Sequence, residues 1–443
     1  MSALSEDPTP AHEIVEHLAL TLHADPSRVV IRPFMPAYDP PAFATPGVSR
    51  AQRIANRVLS LDGPELDHEW ERVLSGLADR HRDIEHTLAR RYHEVNGPVI
   101  DATAVAPRQA LLIGGYFSEE YSFEAAALFN PSIVAHPDQS AVAPDAMRFI
   151  LSLRGVGEGH ISSVTFRTGV WAGDGSVVLD PPSAQAISPR IELIPGGAPE
   201  DPGVRLYCDG SHDLSEVVIY PITDRQRQGI EDLRLVRFVN DDGIVTYFGT
   251  YTAFGGGLVR QELLRTTDFA TFELSGLRGD ATVNKGMALF PRKIHGRYVM
   301  LSRQDHENIW LLTSDDLYEW NGGTRTVAPL WPWEFVQVGN CGSPIEIDEG
   351  WLVITHGVGA VRNYCIGACL LDKDDPSKVL ARMRHPLLRP RRAERDGYVP
   401  NVIYSCGAVL KERTLLLPYA IADSFTTFAK VEVGNLLAAM EWE

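Results

Sequence analysis

Cysteine is scarce: Cys208, Cys341, Cys365, Cys369 and Cys406 are the only five in 443 residues. An odd number cannot close a disulfide framework. Cys365 and Cys369 stand in the apolar run YCIGAC with no second pair to complete a zinc knuckle, so buried free thiols are expected. Basic residues are also short, 41 Lys and Arg against 58 Asp and Glu, for a formal charge of −17. That balance excludes the broad basic face of a dedicated nucleic-acid binder and disfavours an anionic membrane surface. No apolar run approaches the roughly 20 residues of a spanning helix. The start, MSALSEDPTPAHEIVEH, lacks the basic head and apolar core of a secretory signal, so a cytoplasmic protein is expected.

What is present is ordinary for a globular chain, 44% hydrophobic and 22% charged residues, enough for a sizeable core. The first hundred residues read as helical. RAQRIANRVLSL places Ile54, Val58 and Leu61 at helical spacing, and residues 66–95 continue with Trp70, Val73, Leu74, Leu77, Ile84, Leu88, Tyr92 and Val95. The stripe predicts one long amphipathic helix, whose apolar face must cover a neighbouring domain or a second subunit. From about residue 107 the pattern changes to β-type runs: ALLIGGYF, RFILSLR, SSVTFRTGVW, VVIYPI, IVTYFGTYTAF, RYVMLSR, IWLLTS, GWLVITHGV and TLLLPYAI. Turn residues punctuate them and no helical pattern intervenes, which disfavours a parallel βαβ fold. Asp268 in LLRTTDFATFEL and Asp316 in LLTSDDLYEW repeat a strand-turn unit 48 residues apart. That period suits the blade of a β-propeller, of which the remaining chain would make about five. The expectation is an all-β, five-bladed β-propeller over 106–443 with an N-terminal α-helical extension over 1–105.

Charged residues set between apolar strands are the informative exceptions, because a buried charge must be paired or used. In GIEDLRL, Glu231, Asp232 and Arg234 are either a strand-entry ion pair or a general acid with its orienting partners. Lys285, Arg303 and His356 each lie beside a β-type run. If they converge they form a compact phosphate-type anion site. RQDHENIW is rich in ligand-like residues, but His306-Glu307 has no second His four residues on. A polar, substrate-facing loop containing Asp305 is expected there, and no metal. No G-x-S-x-G elbow occurs. The tryptophans Trp310, Trp320, Trp331, Trp333 and Trp351 read mainly as core.

These residues resemble glycoside hydrolase family 130, the β-mannoside phosphorylases and related β-mannosidases. The resemblance is carried by Asn130-Pro131, the strand Leu151 to Arg154, the string Gly229 to Arg234, Lys285-Gly-x-Ala-Leu-Phe-Pro, and a strand ending at Arg303. Gly350 to Val358, LLDKDDPSKVL, GYVPNVIYSCG and Ala422-Asp423 complete it. In the string, Leu233 stands where the family has proline. The resemblance implies a five-bladed propeller with an axial active site, with N-terminal helices serving homo-oligomer contacts in some relatives. It implies Asp232 as catalytic acid and Asn130, Arg154 and Asp423, with Glu231, Arg234 and Asp305 beside them, as substrate-binding residues. Lys285, Arg303 and His356 would hold phosphate.

The expected activity is inverting phosphorolysis of a β-mannoside to α-mannose 1-phosphate, with inorganic phosphate as co-substrate and no cofactor. Two alternatives stay open at this level. One is an inverting β-mannosidase, in which Glu307 or Glu346 would position a water. The other is a non-catalytic carbohydrate-binding propeller.

Overall fold

The computed structural model describes residues 14–44, 47–198 and 201–443. The polar stretch 1–13, on which the reading of a missing secretory signal mostly rests, lies outside them. No described helix is long and apolar enough to cross a membrane. All five cysteines are buried and free.

Four helices follow one another: α1 (Arg50–Leu59), α2 (Gly63–Leu77), α3 (Ile84–Val95) and α4 (Pro107–Tyr116). Ser49 and Asp62 cap α1 and α2 by accepting from the amides of Gln52 and Glu65. The single long helix expected over 66–95 is instead two. Between them Asp83 takes a left-handed φ of 50°. The side chains of the break are drawn to neighbouring elements: Arg80 and His81 to Glu120 at 2.8 and 2.7 Å, Arg82 to Glu216. Those tertiary bonds override the helical periodicity. The apolar stripe is covered within the chain, where Trp70, Leu88, Tyr92 and Val95 pack with Ala55, Val58, Leu112 and Ile113. ALLIGGYF, expected as a strand, is most of α4. Gly114 lets α4 lie on α3, since a Cβ there would sit 1.9 Å from the Leu88 carbonyl oxygen.

The other expected strands form, and they build five antiparallel sheets. Sheet I holds Ala127–Ala135, Met147–Val156 and Ser162–Trp171, with two short strands on its outer edge. Sheet II runs Gly229–Val239, Val245–Gly255, Leu258–Thr266 and Thr271–Gly276. Its outer edge is extended by a hairpin, Arg190–Ala198 with Asp201–Tyr207, so the enlarged 155–228 segment is shared between sheets I and II. Sheet III comprises Ala288–Leu289, Tyr298–Ser302, Ile309–Ser314 and Thr324–Val327. Sheet IV has Gln337–Asn340, Gly350–Val358, Tyr364–Leu371 and Val379–Arg382 at its centre. Sheet V joins Ile403–Tyr404, Thr414–Ile421 and Phe425–Glu432 to Val15–Leu22 from the other end of the sequence. Residues 15–22, inside the expected 1–105 extension, therefore belong to a sheet, and the helices run past residue 105 to Tyr116.

Period-2 side-chain alternation explains how the sheets stack. Leu235 of sheet II packs on Val134 and Ile150 of sheet I, while its neighbour Val236 packs towards Leu289 and Met300 of sheet III. Leu301 and Leu311 of sheet III meet Val338, Trp351 and Val353 of sheet IV. Leu352 and Ile354 of sheet IV meet Leu415 and Leu417 of sheet V. Leu416 and Phe428 of sheet V return to Leu128, Phe149 and Leu151 of sheet I. Both faces of each sheet are thus buried, which is why the strands read as continuous apolar runs. The repeated Asp-containing unit falls at equivalent places, between the third and fourth strands of sheets II and III, where Asp268 and Asp316 accept backbone amides of the turn. A cavity of about 400 Å³ is lined by residues of sheets I, II, IV and V, including Ile133, Leu235, Ile345 and Val409, and by Pro291 in the turn after Ala288–Leu289.

Candidate active site

Two inner strands carry the same local device. In sheet I the register slips between Phe129 and Ser132, and Asn130 takes φ 47°. In sheet II it slips between Glu231 and Arg234, and Asp232 takes φ 55°. Asn and Asp tolerate the left-handed region better than other side chains, and such bulges re-aim a residue out of the pleat. Pro131 suits its bulge because it has no amide to donate to the ladder. Ser132 Oγ accepts from the Leu235 amide at 3.0 Å, tying one bulge to the other. Asp423, after Ala422 in the turn that closes Thr414–Ile421, also has φ 50°. Three polar residues held in a costly conformation at one place suggest function in place of folding.

The side chains they present form one network. Arg154 donates to Glu231 at 2.8 Å and to Asn130 Oδ1 at 3.3 Å, lies 3.9 Å from the Asp232 carboxylate, and stacks 4.9 Å from the Phe129 ring centre. Glu231 also receives the Lys285 ammonium at 2.5 Å. Arg234 is buried, 3.8 Å from the Asp232 carboxylate, and donates to the Tyr404 hydroxyl at 2.8 Å. Arg303 donates to His356 Nε2 at 3.1 Å. A guanidinium can only donate, so Nε2 accepts and the His356 proton sits on Nδ1. The His356 ring lies over Gly339, where a Cβ would come 2.4 Å from Cε1, and it packs edge-on against Tyr404. Nε of Arg154, Arg234 and Arg303 is buried without a partner among the described residues.

Electrostatics sort the titrating groups. Burial pushes the Asp232 pKa up, but Arg234, Lys285, Arg154 and Arg303 together outweigh it and hold the carboxyl below its ordinary value. Asp423 goes the other way. Burial pushes it up to about 6, with Arg154 opposing and the charge of Asp232 adding to the rise. Burial, then the charges of Arg303 and Arg234, push His356 well below its usual value, so it is a neutral hydrogen-bonding group. Four cations, Arg154, Arg234, Lys285 and Arg303, therefore face three carboxylates, Glu231, Asp232 and Asp423, in a chain of net charge −17. Carboxylates driven apart in pKa beside a surplus of cations are the equipment for moving a proton next to a bound anion.

The structure thus brings together Asn130, Arg154, Glu231, Asp232, Arg234, Lys285, Arg303, His356 and Asp423. Asp305 is placed differently. It lies exposed on the loop after Arg303, where its carboxylate accepts the Glu307 and Asn308 amides and the Asn308 side chain at 2.6–3.1 Å. Of the glutamates considered for a hydrolase, Glu346 is gripped by both ends of Arg292, at 2.7 and 2.8 Å, and Glu307 is exposed on the Asp305 loop. Trp320 and Trp351 are wholly buried core residues. Sequence reasoning missed Tyr404, which holds Arg234 and walls His356. It sits in the quoted segment GYVPNVIYSCG, but a tyrosine ending an apolar run carries no polar signal of its own.

A family model described as beta-1,4-mannooligosaccharide phosphorylase matches residues 209–442. That span includes Asp232, Arg234, Lys285 and Arg303 but leaves Asn130 and Arg154 outside. The 1,2-beta-oligomannan phosphorylase of Thermoanaerobacter sp. (strain X514) is 38% identical over 229 residues, which span 50% of this chain and 75% of that protein. The beta-1,2-mannobiose phosphorylase of Listeria innocua serovar 6a is 34% identical over 245 residues, 53% of this chain and 67% of that one. A solved structure of the beta-1,2-mannobiose phosphorylase from Listeria innocua, in complex with beta-1,2-mannobiose, superposes with a TM-score of 0.51 at 22% identity. It covers 72% of this chain and 92% of that one, so the likeness of fold extends beyond the residues matched by the family model. On the strength of the matched span and of these relatives, the chain belongs to glycoside hydrolase family 130.

Proposed function

We propose that the chain is an inverting β-mannoside phosphorylase, with its five sheets as the blades of a propeller and the Asp232 cluster at one end of its axis. The observation that carries the reading is the ring of four cations around one half-buried carboxylate, Asp232. Sugar binding alone calls for no such charge, whereas a phosphate dianion does. Relatives that act on β-1,2-mannosides by name make that linkage the first to test.

In the proposed reaction phosphate is held by Lys285 and Arg303, with neutral His356 beside them accepting from Arg303 at Nε2. It attacks the anomeric carbon as the glycosidic C–O bond breaks on the opposite face. Asp232 gives its proton to the departing oxygen, directly or through a sugar hydroxyl, and regains one from solvent after the products leave. In the free protein the cations keep Asp232 ionised. A bound dianion offsets their charge, and a sugar over the carboxyl removes water from it. Both effects raise its pKa, so the acid is loaded when the substrates are in place. Asn130, Arg154 and Asp423 orient the mannosyl unit. The leaving oxygen is protonated and the nucleophile is already an anion, so the scheme calls on no cofactor. With Glu346 committed to Arg292, the hydrolytic alternative lacks one of its two expected bases.

The test is to incubate the protein with β-1,2-, β-1,3- and β-1,4-mannobiose, with and without inorganic phosphate, and to identify products by 31P NMR. Phosphate-dependent α-mannose 1-phosphate is the expected product. Free mannose formed at a phosphate-independent rate would overturn the proposal in favour of hydrolysis.

A further inference from the structure

Two loops far apart in sequence meet beside elements that carry the cluster. The first follows the strand that carries Arg154, and it is tightly held. Gly157 donates to Ile161 at 3.0 Å, the Tyr121 hydroxyl donates to the Ile161 carbonyl at 2.7 Å, and His160 is left exposed with φ 59°. The second is fastened to the turn that carries Asp423. The Tyr398 amide donates to Ser424 Oγ at 2.8 Å, and the Val399 amide to the Ala422 carbonyl at 2.9 Å. Across the gap the Tyr398 hydroxyl lies 3.0 Å from His160 Nδ1, and the ring centres are 6.0 Å apart at 36°. Tyr398 remains 48% exposed.

A tyrosine whose hydroxyl and backbone are both fixed, yet whose ring faces water, has given up rotamer freedom without gaining burial. That arrangement suits a rigid amphipathic surface waiting for a partner. A pyranose supplies the matching face of C–H bonds with hydroxyls at its edge. In the proposed function the mannosyl unit that reacts lies against Asp232, Arg154 and Asp423. Tyr398 is fastened to the turn that carries Asp423, and His160 stands six residues past Arg154, so the pair borders those residues, where the second sugar would lie.

We propose that Tyr398, braced by His160, is the stacking surface for the sugar on the leaving-group side of the scissile bond, and so for chain-length preference. The proposal rests on the phosphorylase reading for which sugar departs, but its test by binding does not. Calorimetric titration of β-1,2-mannotriose into the wild type, Y398A, Y398F and Y398W measures it. Y398A should bind mannotriose about five- to tenfold more weakly than the wild type, the worth of one lost aromatic contact, with the KM for phosphate unchanged. Y398F keeps the face but loses the His160 bond and should fall between them, while Y398W should restore affinity.

Equal binding by Y398A and the wild type overturns the proposal, as does no binding of mannotriose by the wild type. Y398F as weak as Y398A also overturns it, because the pair would then be only a clasp between loops. A wild type that binds mannotriose but releases no mannose 1-phosphate refutes the phosphorylase reading, and the binding series still decides the role of Tyr398.

Discussion

Asp232 and His356 show how one group of charges sets opposite tasks for two neighbours. Replacing Asp232 by Asn keeps the shape of the bulge and removes the only proton the scheme delivers. Turnover should fall by about a hundred- to ten-thousandfold with the melting temperature nearly unchanged, and a rate within a few-fold of wild type would remove Asp232 from its role. Arg303→Ala should act on phosphate, raising its KM by at least about tenfold through loss of a charge-assisted bond, with the KM for mannobiose changed less. His356 makes a prediction about acid. Its folded pKa lies well below the unfolded value because of burial and the charges of Arg303 and Arg234. The unfolded chain therefore takes up a proton below about pH 6.5 that the folded chain refuses. Stability must fall as pH drops through that window, and His356→Asn should flatten this part of the profile when denaturant midpoints are compared at pH 7.5 and 5. The half-buried carboxyl of Asp423, raised to about 6, has the reverse slope: the folded form binds the proton more tightly, and stability falls as pH rises from about 4 to 6. Asp423→Asn should thus gain most, relative to wild type, above pH 6.

At the scale of elements, a tight backbone fit is found where α4 crosses α3. Gly114→Ala puts a methyl group against backbone, at the Leu88 carbonyl, which no rotamer change can relieve. It should destabilise by roughly 1–3 kcal/mol as an overpacking change, read as a lowered Tm with the sugar chemistry intact. The same contact explains what could be read from sequence here. The strands of the sheets were legible because both their faces are buried and their runs of Val, Ile and Tyr are bounded by turns. ALLIGGYF has the same composition, and its start at Pro107, the Gln109 side chain accepting the Ala106 amide and its crossing with Leu88 favour a helix. The break after Leu77 was hidden for a similar reason, since Arg80, His81 and Arg82 find their carboxylates on strand and loop residues some 40 to 130 positions away. The site was legible where its residues sit in polar strings within apolar sequence, as with Glu231, Asp232 and Arg234. It was not legible for Tyr404, whose importance comes from the residues that it touches, Arg234 and His356.

On the scale of the whole molecule, five intersheet cores run from sheet I back to sheet I, and each sheet depends on two neighbours. Sheet V is the one built from both ends of the described chain, Val15 opposite Val431 and Leu22 opposite Thr426. A chain lacking residues 1–22 would leave the edge of Phe425–Glu432 unpaired, and exposed strand edges invite association. Such a chain should melt lower and scatter more light than the full sequence on heating; an unchanged Tm would show that the added strand is incidental. Pairing residues more than 400 positions apart also has a consequence in time. While the protein is being synthesised, Val15–Leu22 has no mate until residue 432 has left the ribosome. The turn bearing Asp423 is part of that same late sheet. Nascent chains that stop early lack that turn and also Glu441–Trp442, the outer strand of sheet IV, so the proposed sugar site is completed only with the final strands.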